Sequence, residues 1–308
     1  MSSVESVTDL SAARLSKAYD RGRLLDDVER LKAFVFQAQL SNLHDGSWKG
    51  LSLYSSGGEM HQIHGGRRST YDQYLPTAAL DHAPYIKTIL DDFDGGFVSV
   101  RVLTLEPGGV IAEHVDEYRG LRAGVARLHV PIVTAPSIKM VIGGVLQSWQ
   151  PGELWYGNFV QPHDVKNEGD VTKVSLVIDT YVTGKLLTWF PSDYLHLYRQ
   201  SDSILVKPTH SDLAPEALEQ FAVDFVWAEV PGIRRGRRGA VRLAENKLQV
   251  LMEGQPWAQM LPLNDHHFFL DGRVGRSLDY TWSGGRLVGL SYLDHAKGMR
   301  YPLQLVSA

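Results

Sequence analysis

The chain contains no cysteine. Disulfide staples and thiolate metal sites are therefore excluded outright. It also lacks any apolar run near the roughly 20 residues that a membrane-spanning helix needs. Its start, Met1 to Leu10, lacks the basic and then apolar order of a secretory signal. Charge of one sign is missing too. Lys and Arg number 31 against 35 Asp and Glu, a formal net charge of −4, so no overall field recruits nucleic acid or an anionic membrane surface. No exact repeat and no low-complexity tract interrupts the chain. What remains is a 308-residue, 44% hydrophobic chain, long enough for two domains or one large one with an extension. A cytoplasmic enzyme is the expectation, with neither nucleic acid nor membrane as a partner.

What is present begins with frayed polar residues and two helical segments. In the second of these, Leu24, Leu25, Val28, Leu31 and Phe34 recur at helical spacing, with Asp26, Asp27, Glu29 and Arg30 on the other side. A strand follows from Gly46 to Tyr54, and its Trp48 reads either as core or as pocket wall. Residues 55 to 75 read as a loop carrying His61, His64, Arg67 and Arg68, solvated or serving as a lid. Pro84 to Phe93 reads as a short helix with Ile86, Ile89 and Leu90 on one face.

From Val98 the period becomes that of strands. Val98–Leu105 alternates and ends at the turn Glu106-Pro107-Gly108-Gly109. Further strands are expected at 110–115, 126–133, 138–143, 153–157 and 173–181. Many short strands without intervening helices indicate a sandwich, jelly roll or barrel.

This run carries the chemistry. His114 and Asp116 stand two residues apart, a spacing that puts both on one face of a strand. His163 opens a later strand-like run. Two imidazoles and one carboxylate suit one face of an octahedral metal and leave three positions open, the arrangement of non-haem Fe(II) oxygenases. Lys173, ten residues past His163, offers a cation for the far carboxylate of a dicarboxylate cosubstrate. Ser175 points the same way with a hydroxyl. Arg127 and His129 add two donors on one strand face.

These residues resemble the aspartyl/asparaginyl β-hydroxylase family of Fe(II)- and 2-oxoglutarate-dependent oxygenases, which includes bacterial cis-proline hydroxylases. The resembling strings are Gly46-Ser47-Trp48, Val100 to Gly109, His114-Val115-Asp116, Arg127-Leu128-His129-Val130-Pro131, His163 to Gly169 and Val174 to Asp179. The resemblance covers under half of the chain. It implies a mainly β fold, a double-stranded β-helix of the jelly-roll or cupin-like kind, with N-terminal helices. It implies His114, Asp116 and His163 as ligands of Fe(II), with O2 and 2-oxoglutarate as cosubstrates. Arg127 and His129 match positions that hold 2-oxoglutarate, and Lys173 stands where the family usually has an arginine. Lysine keeps the charge and loses the bidentate fork. The implied activity is hydroxylation of an amino-acid side chain, Asp/Asn-like or proline-like, free or within a peptide. A cupin-type metal protein that does not use 2-oxoglutarate is the alternative. Cupins usually carry a further His where this chain has Asp116.

Residues 1–200 are expected to hold this oxygenase domain, 201–215 a linker with Pro208 and Pro215, and 216–308 a small antiparallel β-domain, barrel or sandwich. Trp257, Phe268, Phe269 and Trp282 read as its core, with a substrate-binding face as the rival reading. Arg234-Arg235-Gly236-Arg237-Arg238 reads as an exposed basic turn at its entry.

Overall fold

The computed structural model describes residues 10–38, 43–61, 73–210, 215–227 and 237–306. The chain divides into two compact units, the first drawn from residues up to Ile204 and the second chiefly from Leu205 onward. No helix among the described residues is long and apolar enough to cross a membrane.

The first unit opens with strand β1 (Ala12–Ala18), helix α1 (Arg21–Leu31) and strands β2 (Gln37–Ala38), β3 (Trp48–Ser56) and β4 (Tyr74–Pro76). Helix α2 (Pro84–Leu90) leads to β5 (Phe97–Leu105) and β6 (Val110–His114). Then come β7 (Val125–Val133), β8 (Ile138–Ile142), β9 (Val145–Leu146), β10 (Glu153–Gly157), β11 (His163–Asn167) and β12 (Lys173–Tyr181). Helices α3 (Gly184–Leu187) and α4 (Ser192–Ser201) close the unit.

The larger sheet runs β1-β10-β7-β12-β5-β3-β2, with β4 paired to β3; the smaller runs β6-β11-β8-β9. Together they form the double-stranded β-helix of a mainly β, cupin-like protein. Strand β12 lies at the centre of the larger sheet and is buried from Val174 to Tyr181. That explains its near-continuous apolar run, because a strand covered on both faces has no solvent side to alternate toward. Leu105 of the large sheet packs with Ile111, Ile138, Met140, Ile142 and Val165 of the small one. The turn joining β5 to β6 needs its glycines. Gly108 takes a φ of 76°, and a Cβ on Gly109 would come within 2.5 Å of Ser47 Oγ.

Two expectations near the N-terminus are corrected. The first helical segment is strand β1, which pairs antiparallel with β10 through Ala12↔Gly157, Ala13↔Tyr156 and Arg14↔Trp155. Its Ala, Leu, Arg and Lys favour a helix locally. Alternate burial of Ala13 and Leu15 against the sheet outweighs that preference. Asp27, read as solvent-facing, is fully buried. Its Oδ2 accepts from the Ile86 backbone N–H at 2.7 Å and so ties α1 to the open start of α2.

The second unit begins with α5 (Pro215–Leu218) and continues as β13 (Val223–Trp227), β14 (Arg237–Ala244), β15 (Lys247–Met252) and β16 (Gln255–Pro262). Strands β17 (His267–Asp271), β18 (Arg276–Ser283), β19 (Arg286–Asp294) and β20 (Met299–Leu305) complete it. Each strand pairs with the next, and β20 returns to β13, so the unit is a closed barrel. Closure removes the exposed edges that a small sheet would otherwise present. Phe225, Trp227, Val250, Met260, Phe268 and Tyr280 fill its core, and Trp257 and Trp282 pack partly buried against them. Phe269 is also buried. His267 and His295 each place Nε2 against one hydroxyl, Ser277 Oγ, at 2.6 and 2.8 Å. Arg237 and Arg238 open β14 and so belong to a strand, and Arg234 to Gly236 lie outside the described residues.

Candidate metal centre

The antiparallel pairing of β6 with β11 sets His114 directly opposite His163. Their ring centroids are 4.1 Å apart. Asp116 lies just beyond the end of β6, where its backbone N–H donates to Phe159 O at 2.8 Å. One ligand atom from each of His114, Asp116 and His163 falls within 4.8 Å of the other two. His163 Nε2 stands 3.9 Å from Asp116 Oδ2.

The imidazole tautomers follow from their neighbours. His114 Nδ1 is 2.8 Å from Ala112 O, and His163 Nδ1 is 3.0 Å from Gln161 O. A carbonyl oxygen only accepts, so Nδ1 carries the proton, and in the neutral imidazole Nε2 keeps its lone pair. This is the tie that fixes a metal-binding histidine in orientation and tautomer. Burial pulls the His163 imidazole down to about 4, so it is neutral and able to ligate at physiological pH. Burial alone would raise the Asp116 carboxyl. The Arg127 guanidinium, the largest of the opposing pulls, turns the shift downward.

These groups open on a cavity of about 500 Å³. Arg127, His129 and Lys173 line it as well. Ser175 does not. It is buried, and its hydroxyl accepts from Lys173 Nζ at 2.8 Å. Burial pulls the Lys173 ammonium down to about 8. His129 is buried with both ring nitrogens lacking any hydrogen-bond partner among the described residues. It packs against Trp149 and Phe159. Burial, reinforced by Lys173 and Arg127, holds it well below the usual imidazole range and therefore neutral.

Trp48 is a wall of this cavity, with its ring 6.4 Å from that of His114. Trp48 also packs partly buried against the core cluster around Leu105, Ile111 and Met140, so it serves as both wall and core. His61 is exposed and pairs with Glu59 at 3.4 Å, while His64, Arg67 and Arg68 lie outside the described residues.

Sequence reasoning missed a charge cluster at one end of the cavity. Asp179, with no exposed surface, accepts from Arg127 Nε at 2.7 Å and Arg127 Nη2 at 2.9 Å. Arg119 Nε reaches it at 3.0 Å, Ser99 Oγ at 3.0 Å and Arg101 Nη2 at 3.3 Å. Burial opposes ionisation of Asp179. Arg127 and Arg119, then Arg101, overcome it and hold the carboxyl well below the usual range. Arg101 gave one signal, as a lone charge inside an apolar strand. Arg119 gave none, because a loop brings it in.

The sequence profile of the family described as Aspartyl/Asparaginyl beta-hydroxylase matches residues 20–182. That range is more than half of the chain and excludes the barrel. Among solved structures, the chain is similar to an oxidoreductase of the 2OG-Fe(II) oxygenase family from Burkholderia pseudomallei. The identity is 14% and the TM-score 0.39, covering 56% of this chain and 86% of that one. It is also similar to the non-heme alpha ketoglutarate dependent epimerase SnoN from nogalamycin biosynthesis, at 13% identity and a TM-score of 0.38 over 56% and 78% of the two chains. A Pseudomonas putida prolyl-4-hydroxylase matches at 14% identity and a TM-score of 0.35, over 56% of this chain and 94% of that one. No curated protein matches the chain.

Proposed function

The chain belongs to the aspartyl/asparaginyl β-hydroxylase family, and on that premise we propose that it is an Fe(II)- and 2-oxoglutarate-dependent dioxygenase acting on an amino-acid side chain, free or within a peptide. The observation that carries the reading is the donor set. Two Nε2 lone pairs, each made available by an Nδ1–H bound to a carbonyl, converge with one ionised carboxylate. That set suits iron(II) with positions left open. The orphaned nitrogens of His129 and the buried ammonium of Lys173 support a polar, anionic second occupant of the same cavity.

His114, Asp116 and His163 would hold the metal. When bound, Fe(II) supplies the redox chemistry by which O2 decarboxylates 2-oxoglutarate to succinate and CO2 and places one oxygen atom in a C–H bond. Lys173 pairs with the far carboxylate of 2-oxoglutarate, and the Ser175 hydroxyl fixes the ammonium for that contact. His129 donates from one ring nitrogen to the same ligand. Trp48, Phe159, Leu103, Met140 and Val177 exclude water from the reacting carbon.

Two measurements on the full chain test this. Conversion of 2-oxoglutarate to succinate with Fe(II) and O2 separates it from a cupin-type protein that does not use the cosubstrate. A mass-spectrometric screen of free amino acids and peptides for a gain of one oxygen identifies the substrate. His114→Ala, Asp116→Ala and His163→Ala should each abolish turnover while leaving the thermal melt in place. Full Fe(II)-dependent activity in any two of them would remove the assignment.

A further inference from the structure

The Asp116 backbone is tied by its N–H to Phe159 O and by its carbonyl to the Arg119 N–H, but the sheet does not set its side chain. Asp116 lies two residues beyond the last residue of β6, so the pleat no longer sets where its side chain points. What does reach it is Arg127, whose Nη1 donates to Asp116 Oδ2, the oxygen that also faces His163 Nε2. A carboxylate has about four lone-pair sites, so a guanidinium N–H and a metal can share it.

Arg127 is itself held rigidly. Its Nε and Nη2 form a two-pronged fork on Asp179 Oδ1 and Oδ2, at 2.7 and 2.9 Å. Asp179 stands in register with Arg127 on β7 and Ser99 on β5, so three adjacent central strands fix the acid. Ser99 Oγ, Arg119 Nε and Arg101 Nη2 bind it further. A fork of this kind leaves one edge of the guanidinium plane pointing in a fixed direction. That edge meets Asp116.

The same contacts argue against Arg127 as a cosubstrate ligand. Three of its five N–H donors are already spent on carboxylates of the chain. By strand register, Arg127 stands level with Asp179, six residues along β12 from Lys173. The two cations are therefore anchored about 20 Å apart along the strands. Lys173 has a neutral hydroxyl partner, and His129 has no partner among the described residues. By register His129 stands level with Val177, between the two cations, and of those cations Lys173 is the one with no carboxylate partner in the described contacts.

We infer that Arg127 and Asp179 are positioning residues for the metal carboxylate: Asp179 locks the Arg127 fork, and Arg127 aims Asp116 at the space between His114 and His163. The inference rests on the reading of His114, Asp116 and His163 as metal ligands.

Anaerobic titration of the full chain with Co(II), followed by visible absorption, tests it together with calorimetric titration of 2-oxoglutarate into the Co(II)-loaded protein. Arg127→Lys keeps the charge and removes the fork. It should weaken Co(II) binding about 10- to 100-fold, the usual effect of losing a group that orients a ligand. The affinity of the loaded protein for 2-oxoglutarate should change far less. In an Asp116→Ala background the same substitution should leave the residual Co(II) affinity unchanged, because the effect passes through Asp116. Arg127→Gln, with a thermal melt on every variant, provides a second substitution should the lysine variant fold poorly. Equal losses in both backgrounds would overturn the inference, as would unchanged Co(II) affinity with weakened 2-oxoglutarate binding. A wild-type chain that takes up no Co(II) would overturn the metal reading itself, and this inference with it.

Discussion

Replacing Lys173 by alanine removes the cation from the cosubstrate end of the cavity. The ammonium donates to Ser175 Oγ at 2.8 Å and lines the cavity with no carboxylate of the chain on it in the described contacts. A hydrogen bond to a charged group contributes about 1.5–3 kcal/mol. At 1.4 kcal/mol for each factor of ten, Lys173→Ala should weaken 2-oxoglutarate binding roughly 10- to 150-fold. Lys173→Arg should lose less, since it keeps the charge. The pH profile supplies an independent signature. Burial pulls the ammonium down to about 8, and only its charged form pairs with the carboxylate. Affinity should therefore be level below about pH 7 and fall as the pH rises through 8, by up to tenfold per unit. Arginine does not lose its proton in this range, so Lys173→Arg should flatten that fall. Calorimetric titration of 2-oxoglutarate into metal-loaded protein between pH 6.5 and 9.5 measures both effects. Unchanged affinity in Lys173→Ala, or the same alkaline fall in Lys173→Arg, would refute the assignment and return the role to Arg127.

Two further outcomes concern stability. Asp179→Ala leaves Arg101, Arg119 and Arg127 around a missing acid, and losing one partner of a buried ion cluster costs about 3–5 kcal/mol; chemical denaturation should register that loss, and a change below about 1 kcal/mol would mean the cluster relaxes into solvent. In the barrel, burial, with His267 adding, pulls His295 down to about 4, and burial also lowers His267. A base whose folded pKa lies below its unfolded value of about 6.5 binds fewer protons when folded. Stability from this pair should be intact above pH 6.5 and fall by roughly 1–3 kcal/mol as the pH drops toward 4. Denaturant melts of wild type and His295→Gln across that range check it, the variant losing less.

Much of the site could be read from local order. Spacing brings Lys173 to Ser175 on β12, and it singled out His114 and Asp116, although β6 ends at His114 and the strand pleat does not set Asp116. Strands β5 and β12 were legible from alternation and apolar runs within a few residues of their ends. Strand β1 was not, because its residues prefer a helix in isolation and only the edge offered by β10 makes them extended. The barrel gave several of its strands but not its closure, which depends on β20 finding β13 about 80 residues away in sequence.

The sequence by itself determined the chemistry available: two histidines and a carboxylate at strand spacing, a lysine ten residues on, and no thiol to compete. Tertiary structure alone decided how the charges are shared. Arg101, Arg119, Arg127 and Asp179 come from separate strands and a loop, and no local period links them. Strand register brings Arg127 level with Asp179, and the low-dielectric interior commits the guanidinium to the carboxylates it meets there. That is why Arg127, which resembles a cosubstrate ligand in sequence, stands in the fold as the brace of Asp116.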